Sequence, residues 1–144
     1  MLEYTINAKS IIGGKAQCFA GGSDFEFDAS SGRDDILPNP AELLLSALAA
    51  CILKNVERYS EKLRFPYREA KIEVKGIRND NPPFMKEIVY SLEIDTEIED
   101  RKLEMWHKNI IKFGTITNTL LKAVEIKGKI SKMNINNNNK MKNN

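Results

Sequence analysis

The stretch Asn39-Pro-Ala-Glu-Leu-Leu-Leu-Ser-Ala-Leu-Ala-Ala-Cys-Ile-Leu-Lys-Asn-Val-Glu-Arg-Tyr59 decides how the rest of the chain is read. Its Ala, Leu, Glu and Lys are strong helix formers, and its start is marked locally. Asn39 can accept a hydrogen bond at the N-cap, Pro40 suits the first helical position because no N–H is missed there, and Glu42 follows Asn39 in capping-box spacing. Between Ala41 and Leu53 the polar interruptions are Glu42 and Ser46. The first three turns are therefore apolar nearly all round, as in a helix buried on most sides. That run falls well short of the roughly 20 residues that cross a bilayer, so the burial has to be in protein. Further on, Lys54, Glu57, Arg58, Glu61 and Lys62 give the helix a wet face, and Phe65-Pro66 ends it.

Upstream, Leu2, Tyr4, Ile6 and Ala8 alternate with Glu3, Thr5, Asn7 and Lys9, the period of a half-buried strand. Gly13-Gly14 and Gly21-Gly22 punctuate the chain as hairpin turns would, which places a second strand over residues 15–20 and a third through Phe25 and Phe27. The Ser-, Gly- and Asp-rich segment 29–38 reads as a surface loop. Downstream, Ala70, Ile72 and Val74 and then Ile88, Tyr90, Leu92 and Ile94 alternate with charged or polar residues, giving an antiparallel hairpin with one wet face. Leu103, Trp106, Ile110 and Phe113 have helical spacing up to Gly114, Thr115 or Thr117 can cap a short helix, and Val124, Ile126 and Ile130 mark a last strand.

Three strands, a long helix, two strands, two helices and a strand make an α+β fold with antiparallel sheets packed on the long helix. Three short strands cannot cover a helix that is apolar on several sides. A second copy of the chain is the simplest cover, and a homodimer with the long helices at its interface is expected.

A length of 144 residues suits one domain with one core. Residues 132–144, mostly Asn with a few Lys, hold too little apolar surface to fold and are expected to be a disordered tail, leaving 1–131 as the domain. Without Lys132, Lys140 and Lys142 the formal charge falls from +2 to −1, so the folded body offers no stripe for tracking nucleic-acid phosphates. With no basic n-region followed by an apolar h-region and no long apolar run, neither export nor a membrane is indicated, and a cytoplasmic location is expected. Cys18 and Cys51 lack CxxC spacing and His107 is the lone histidine, so no metal site and no cofactor is expected. His107, next to Trp106 on an amphipathic helix, reads as a surface or core-edge imidazole.

Cys51 is the residue with chemistry to offer. At 100° per residue, Ala47 and Leu44 share its helix face and Ala41 lies within about 80°, whereas Glu42 is on the far side. Its own helix surrounds the sulfur with small apolar groups, which favour an inert thiol unless a cation arrives from another element.

The run from Asn39-Pro-Ala-Glu-Leu to Ala49-Ala-Cys51 resembles the signature of the OsmC/Ohr family, the osmotically inducible and organic hydroperoxide resistance proteins, whose motif runs Asn-Pro-Glu-x-Leu to Ala-Ala-Cys. Gly13-Gly-Lys15 is similar to a Gly-Gly-Arg near the N-terminus of the hydroperoxide resistance branch. Lys112-Phe-Gly-Thr-Ile-Thr-Asn-Thr-Leu120 resembles the Tyr-Cys-Pro-Val-x-Asn-Thr-Leu segment that carries the family's second cysteine. The resemblance spans about residues 1–131. It implies the OsmC-like fold as an intertwined homodimer with two interface sites. It also implies a thiol-dependent peroxidase in which the helix cysteine, here Cys51, attacks the O–O bond and the second cysteine resolves the resulting sulfenic acid.

Three positions depart from that pattern. Ala41 stands where the family has its Glu, and Glu42 is accounted for by the capping box. Lys15 stands where the family has an Arg, and it supplies charge without the bidentate fork. Gly114 stands at the resolving position, so the usual internal disulfide is absent, and Cys18, on a strand face shared with Ala16 and Ala20, is an unfavourable substitute. The resulting expectation is a one-cysteine cycle. Cys51 is the peroxidatic thiol, Lys15 the electrostatic helper, and Thr115 and Thr117 are polar neighbours from the former resolving segment. A small organic hydroperoxide or hydrogen peroxide is the substrate, and an external thiol the reductant. The alternative is a non-catalytic dimeric module that binds a small apolar ligand or senses redox state.

Overall fold

The computed structural model describes residues 1–134. The chain divides into two compact units, one of residues 1–44 and one from Leu45 onward.

In the first unit, β1 (Ile6–Ser10), β2 (Lys15–Ala20) and β3 (Ser23–Asp28) form an antiparallel meander in that order. Both turns are built where the glycines stand. Gly13 and Gly14 adopt φ of +93° and +84°, the left-handed region closed to most side chains. A Cβ on Gly14 would also lie 2.3 Å from the Ser30 backbone, so this turn needs glycine twice over. The first strand is shorter than its alternating pattern suggests. Ile6 pairs with Ala20, the last residue of β2, and Leu2 and Tyr4 lie beyond the end of the partner strand, where no ladder can extend to them.

The loop after β3 is organised by Asp28, a buried carboxylate that accepts from the Ser30 amide (2.8 Å), the Ser30 hydroxyl (2.5 Å) and the Asp34 amide (3.2 Å). The Asp28 amide in turn donates to the Pro38 carbonyl at 2.9 Å. Asn39 is thus delivered to the start of α1 (Pro40–Leu63). There the capping box forms in both directions: the Glu42 amide donates to Asn39 Oδ1 at 3.0 Å and the Asn39 amide to Glu42 Oε1 at 3.2 Å.

The second unit holds the main core. β4 (Glu69–Asp80) and β5 (Pro83–Asp95) pair antiparallel, and β6 (Glu125–Lys132) adds to the other edge of β5. Leu48, Ile52 and Val56 of α1, Ile88, Leu92 and Ile94 of β5, and Leu103, Trp106 and Ile110 of α2 (Asp100–Lys112) form one buried cluster. Complete burial of each such aliphatic side chain contributes roughly 1.5–3 kcal/mol. Trp106 is held by its indole N–H, which donates to the Val56 carbonyl at 3.2 Å, and by the edge-on rings of Phe65 and Tyr67.

Three sequence expectations need correction. The second sheet is mixed, because β6 runs parallel to β5: the crossover through α2 and α3 (Thr115–Leu120) returns the chain to the end of the sheet from which β5 began. Gly114, in extended conformation, is the N-cap of α3, so Thr115 and Thr117 lie inside that helix and neither caps it. The ordered chain continues into the segment assigned to the tail, since Lys132 belongs to β6 and the buried Met133 donates its amide to the Ile94 carbonyl at 2.9 Å. The rest of that segment, 135–144, lies outside the described residues.

Candidate functional site

Cys51 sits midway along α1, half-buried, with Ala47 one turn before it and Asn55 one turn after it on the same face. Asn55 is the reason another element reaches the sulfur. Its buried amide donates to the Ile110 carbonyl at 2.9 Å. The last turn of α2 tightens so that the Phe113 amide goes to Asn109 and the Gly114 amide to Ile111, which leaves the Ile110 carbonyl to Asn55. Helix C-termini carry such orphan acceptors, and a side chain from a neighbouring helix is one way to satisfy them. One turn further along α1, Tyr59 stacks on Phe113 with ring centroids 5.5 Å apart. These two contacts pin the end of α2, and the next residue, Gly114, is laid against the cysteine.

That approach is close. A Cβ built on Gly114 would lie 3.1 Å from Cys51 Sγ and 2.7 Å from Thr117 Oγ1. In a disulfide, the Cβ of one cysteine lies about 3 Å from the sulfur of the other, one C–S and one S–S bond meeting at an angle. Position 114 therefore stands where a side chain would meet the Cys51 sulfur, and this chain places no side chain there. The group that does face the sulfur is the Thr117 hydroxyl. Thr117 is 1% exposed and its Oγ1 lies 4.0 Å from Cys51 Sγ.

The other residues singled out from sequence are placed as follows. Thr115 is exposed, and its carbonyl accepts from the Thr119 hydroxyl. Lys15 opens β2, exposed, opposite Asp28. Cys18 is buried in β2 between Ala8 and Phe25, and both cysteines are free thiols. Glu42 is engaged in the cap of α1. His107 is a core-edge group: its Nε2 lies 2.6 Å from the Tyr90 hydroxyl, and burial lowers its pKa while pushing Tyr90 up to about 12. The bond joins a neutral imidazole to the phenol, and the imidazole tautomer decides which of the two donates. Gly128 makes this possible, since a Cβ there would fall 1.8 Å from the Tyr90 ring. Grooves of about 280 and 460 Å³ on the second sheet are lined by residues such as Lys71, Glu73, Ser91 and Lys127, and neither includes Cys51.

Sequence reasoning missed Asn55 and the Tyr59–Phe113 stack. The signal was present: Cys51, Asn55 and Tyr59 recur at every fourth position, one stripe of the helix, and a polar amide inside an otherwise apolar stripe points to a backbone acceptor.

The family model for OsmC-like protein matches residues 32–129. A search of curated proteins returns no match. Among solved structures, the fold is similar to an OsmC-like protein from Mycoplasma pneumoniae, with 19% identity over 92% of this chain and 99% of that one and a TM-score of 0.84. It is also similar to an organic hydroperoxide resistance protein OsmC from Legionella pneumophila, with 16% identity, 91% and 99% coverage and a TM-score of 0.73. The organic hydroperoxide resistance protein OhrB of Bacillus subtilis gives 19% identity, 90% and 98% coverage and a TM-score of 0.61. No helix among the described residues is long and apolar enough to cross a membrane.

Proposed function

The chain belongs to the OsmC-like protein family, the OsmC/Ohr group, and on that premise we propose that it is a one-cysteine, thiol-dependent peroxidase acting through Cys51 on organic hydroperoxides or hydrogen peroxide. The observation that carries this reading is the placement of Gly114 against the Cys51 sulfur, the position at which a second thiol would stand. The Cys51 thiolate attacks the outer peroxide oxygen. An S–O bond forms, the O–O bond breaks, the sulfur is oxidised by two electrons, and the departing alkoxide takes up the proton the thiol gave up. Cys51 is left as sulfenic acid and an organic hydroperoxide as its alcohol; with hydrogen peroxide the departing group is hydroxide and the product water. A first external thiol displaces water to form a mixed disulfide on Cys51, and a second releases the reduced Cys51 and a small disulfide.

Lys15 is assigned, from its place in the Gly-Gly-Lys motif, as the cation that favours the thiolate. Thr117 is the polar neighbour of the sulfur, and Thr115, exposed at the start of the same helix, is assigned a binding role from its place in that segment. The working form is a homodimer. Leu44 and Ala50 of α1 and Ile6, Phe19 and Phe25 of the first sheet are exposed in the single chain, and apolar surface of this kind supports a second copy as its cover. Residues 1–131 act as one domain, in keeping with a family match that runs across both units. A thiol-consuming cycle and two free cysteines suit the cytoplasm.

A second reading, a dimeric redox sensor or small-ligand module without turnover, draws on the missing side chain at Gly114. Steady-state consumption of cumene hydroperoxide, with dihydrolipoamide or a monothiol as reductant, separates the two. The peroxidase reading expects consumption that disappears in Cys51→Ser; equal rates in the two proteins, or none above background in either, reject it.

A further inference from the structure

We propose that the Thr117 hydroxyl takes over the position of a resolving thiol and holds the oxygen of the Cys51 sulfenic acid, so that the oxidised site persists as sulfenic acid until an external thiol arrives; this rests on the reading of Cys51 as the peroxide-reactive residue. Thr117 is fully enclosed, at 1% exposure, and its hydroxyl has the Cys51 sulfur as its hydrogen-bond partner among the described residues. The distance tells which form of the sulfur the hydroxyl suits. At 4.0 Å the contact with sulfur itself is at the outer limit of a hydrogen bond. An O–H···O bond is about 2.7 Å, and such a bond meeting an S–O bond at a bent angle spans about the observed separation, so the oxygen that the oxidised sulfur gains, and the thiol lacks, fits between the two. Interactions that strengthen as the reaction proceeds lower its barrier more than interactions already complete in the resting site.

Gly114 and Thr117 form a matched pair. The hydroxyl oxygen lies 2.7 Å from where a Cβ at 114 would be, closer than a side-chain carbon tolerates, so the hydroxyl and a side chain at 114 exclude one another in this arrangement. The chain has a hydroxyl where a resolving sulfur would otherwise enter. A hydroxyl cannot displace water from a sulfenic acid to form a disulfide, but it can donate to the oxygen and accept from its proton. Without that bond, the sulfenic acid is open to a second oxygen transfer from peroxide, which gives sulfinic acid and another molecule of alcohol.

The test follows the lifetime of the oxidised form. Wild type, Thr117→Val, Thr117→Ser and Cys51→Ser are treated with a fixed excess of cumene hydroperoxide without reductant. Dimedone is added after increasing delays, and intact mass reports sulfenic adduct against sulfinic acid. The expected result is adduct formation at the shortest delay in every protein that keeps Cys51. The lifetime should be about tenfold shorter in Thr117→Val, the factor corresponding to loss of one hydrogen bond of about 1.4 kcal/mol, and largely restored in Thr117→Ser. A Thr117→Val lifetime within twofold of wild type, or a serine variant that behaves like valine, overturns the role of the hydroxyl while leaving the peroxidase reading intact. Wild type that yields no Cys51 adduct overturns both. The double variant Gly114→Cys/Thr117→Ala supplies an independent arm. It should lose two thiols per equivalent of peroxide and form an internal disulfide with no dimedone adduct; persistence of the adduct in that protein contradicts the proposed exchange of hydroxyl for thiol.

Discussion

Replacing Asn55 by alanine isolates the contact that delivers Gly114 and Thr117 to the thiol. The amide is 5% exposed and donates to the Ile110 carbonyl at 2.9 Å, and the neighbouring amides of Phe113 and Gly114 are already committed to Asn109 and Ile111. Truncation leaves a carbonyl without a partner in a place water does not reach, a loss of about 2 kcal/mol. For a chain of this size that corresponds to a fall in Tm of roughly 4–8 °C. Thermal and urea unfolding of wild type and variant, at matched protein concentration so that any self-association contributes equally to both, measures it. Asn55→Asp should be worse than alanine, since it keeps the volume but brings a carboxylate oxygen against the carbonyl it must replace a donor to. The loss should also reach the site, with slower oxidation of Cys51 by peroxide, because the end of α2 is no longer pinned. An Asn55→Ala protein within about 0.5 kcal/mol of wild type, the range of surface substitutions, would refute this account of how the site is assembled.

Other expectations follow from contacts elsewhere. Gly128→Ala places a Cβ 1.8–2.3 Å from three atoms of the Tyr90 ring and should cost about 2 kcal/mol or more by urea unfolding; combining it with Tyr90→Ala should cost less than the sum of the two, and strict additivity would show that the ring is not what the methyl meets. Burial holds the folded His107 below its ordinary pKa, so the unfolded chain takes up that proton first as pH falls. Stability should therefore decline from about pH 6.5 downward and level off once the folded imidazole is protonated; His107→Gln should flatten that part of a stability–pH curve, and an unchanged slope would contradict it. Lys15→Ala should slow Cys51 oxidation about tenfold, with recovery in Lys15→Arg, measured as thiol loss under excess peroxide; equal rates in all three would remove Lys15 from the mechanism.

The long helix was legible from local chemistry alone. Asn39 and Glu42 are three residues apart, and a reciprocal cap requires only that spacing and a free end, so the structure repeats the sequence reading bond for bond. Strand faces were legible for the same reason, since alternation at Ile88, Tyr90, Leu92 and Ile94 records which side meets the core. Direction was not. Alternation is the same in either sense along a strand, and whether β6 runs with or against β5 depends on the path of the crossover, which no local pattern encodes. At the site, the family resemblance marked Gly114 as a missing cysteine. Thr117 was singled out as a polar neighbour of Cys51 from the same segment, but its entry into the space of residue 114 was not legible, because that depends on α3 starting at Thr115 with Gly114 as its N-cap, which puts the threonines expected to cap the helix inside it.

The central claim, that Cys51 transfers two electrons to a peroxide, is tested most directly in a single turnover without reductant. One equivalent of cumene hydroperoxide per chain is mixed with the reduced protein, and alcohol released, thiol lost and dimedone-trapped Cys51 are measured together. The account predicts one alcohol, one thiol lost and one adduct per chain, with the adduct mapping to Cys51 and nothing in Cys51→Ser. Peroxide that remains unreduced, or alcohol that forms equally in Cys51→Ser, would contradict it.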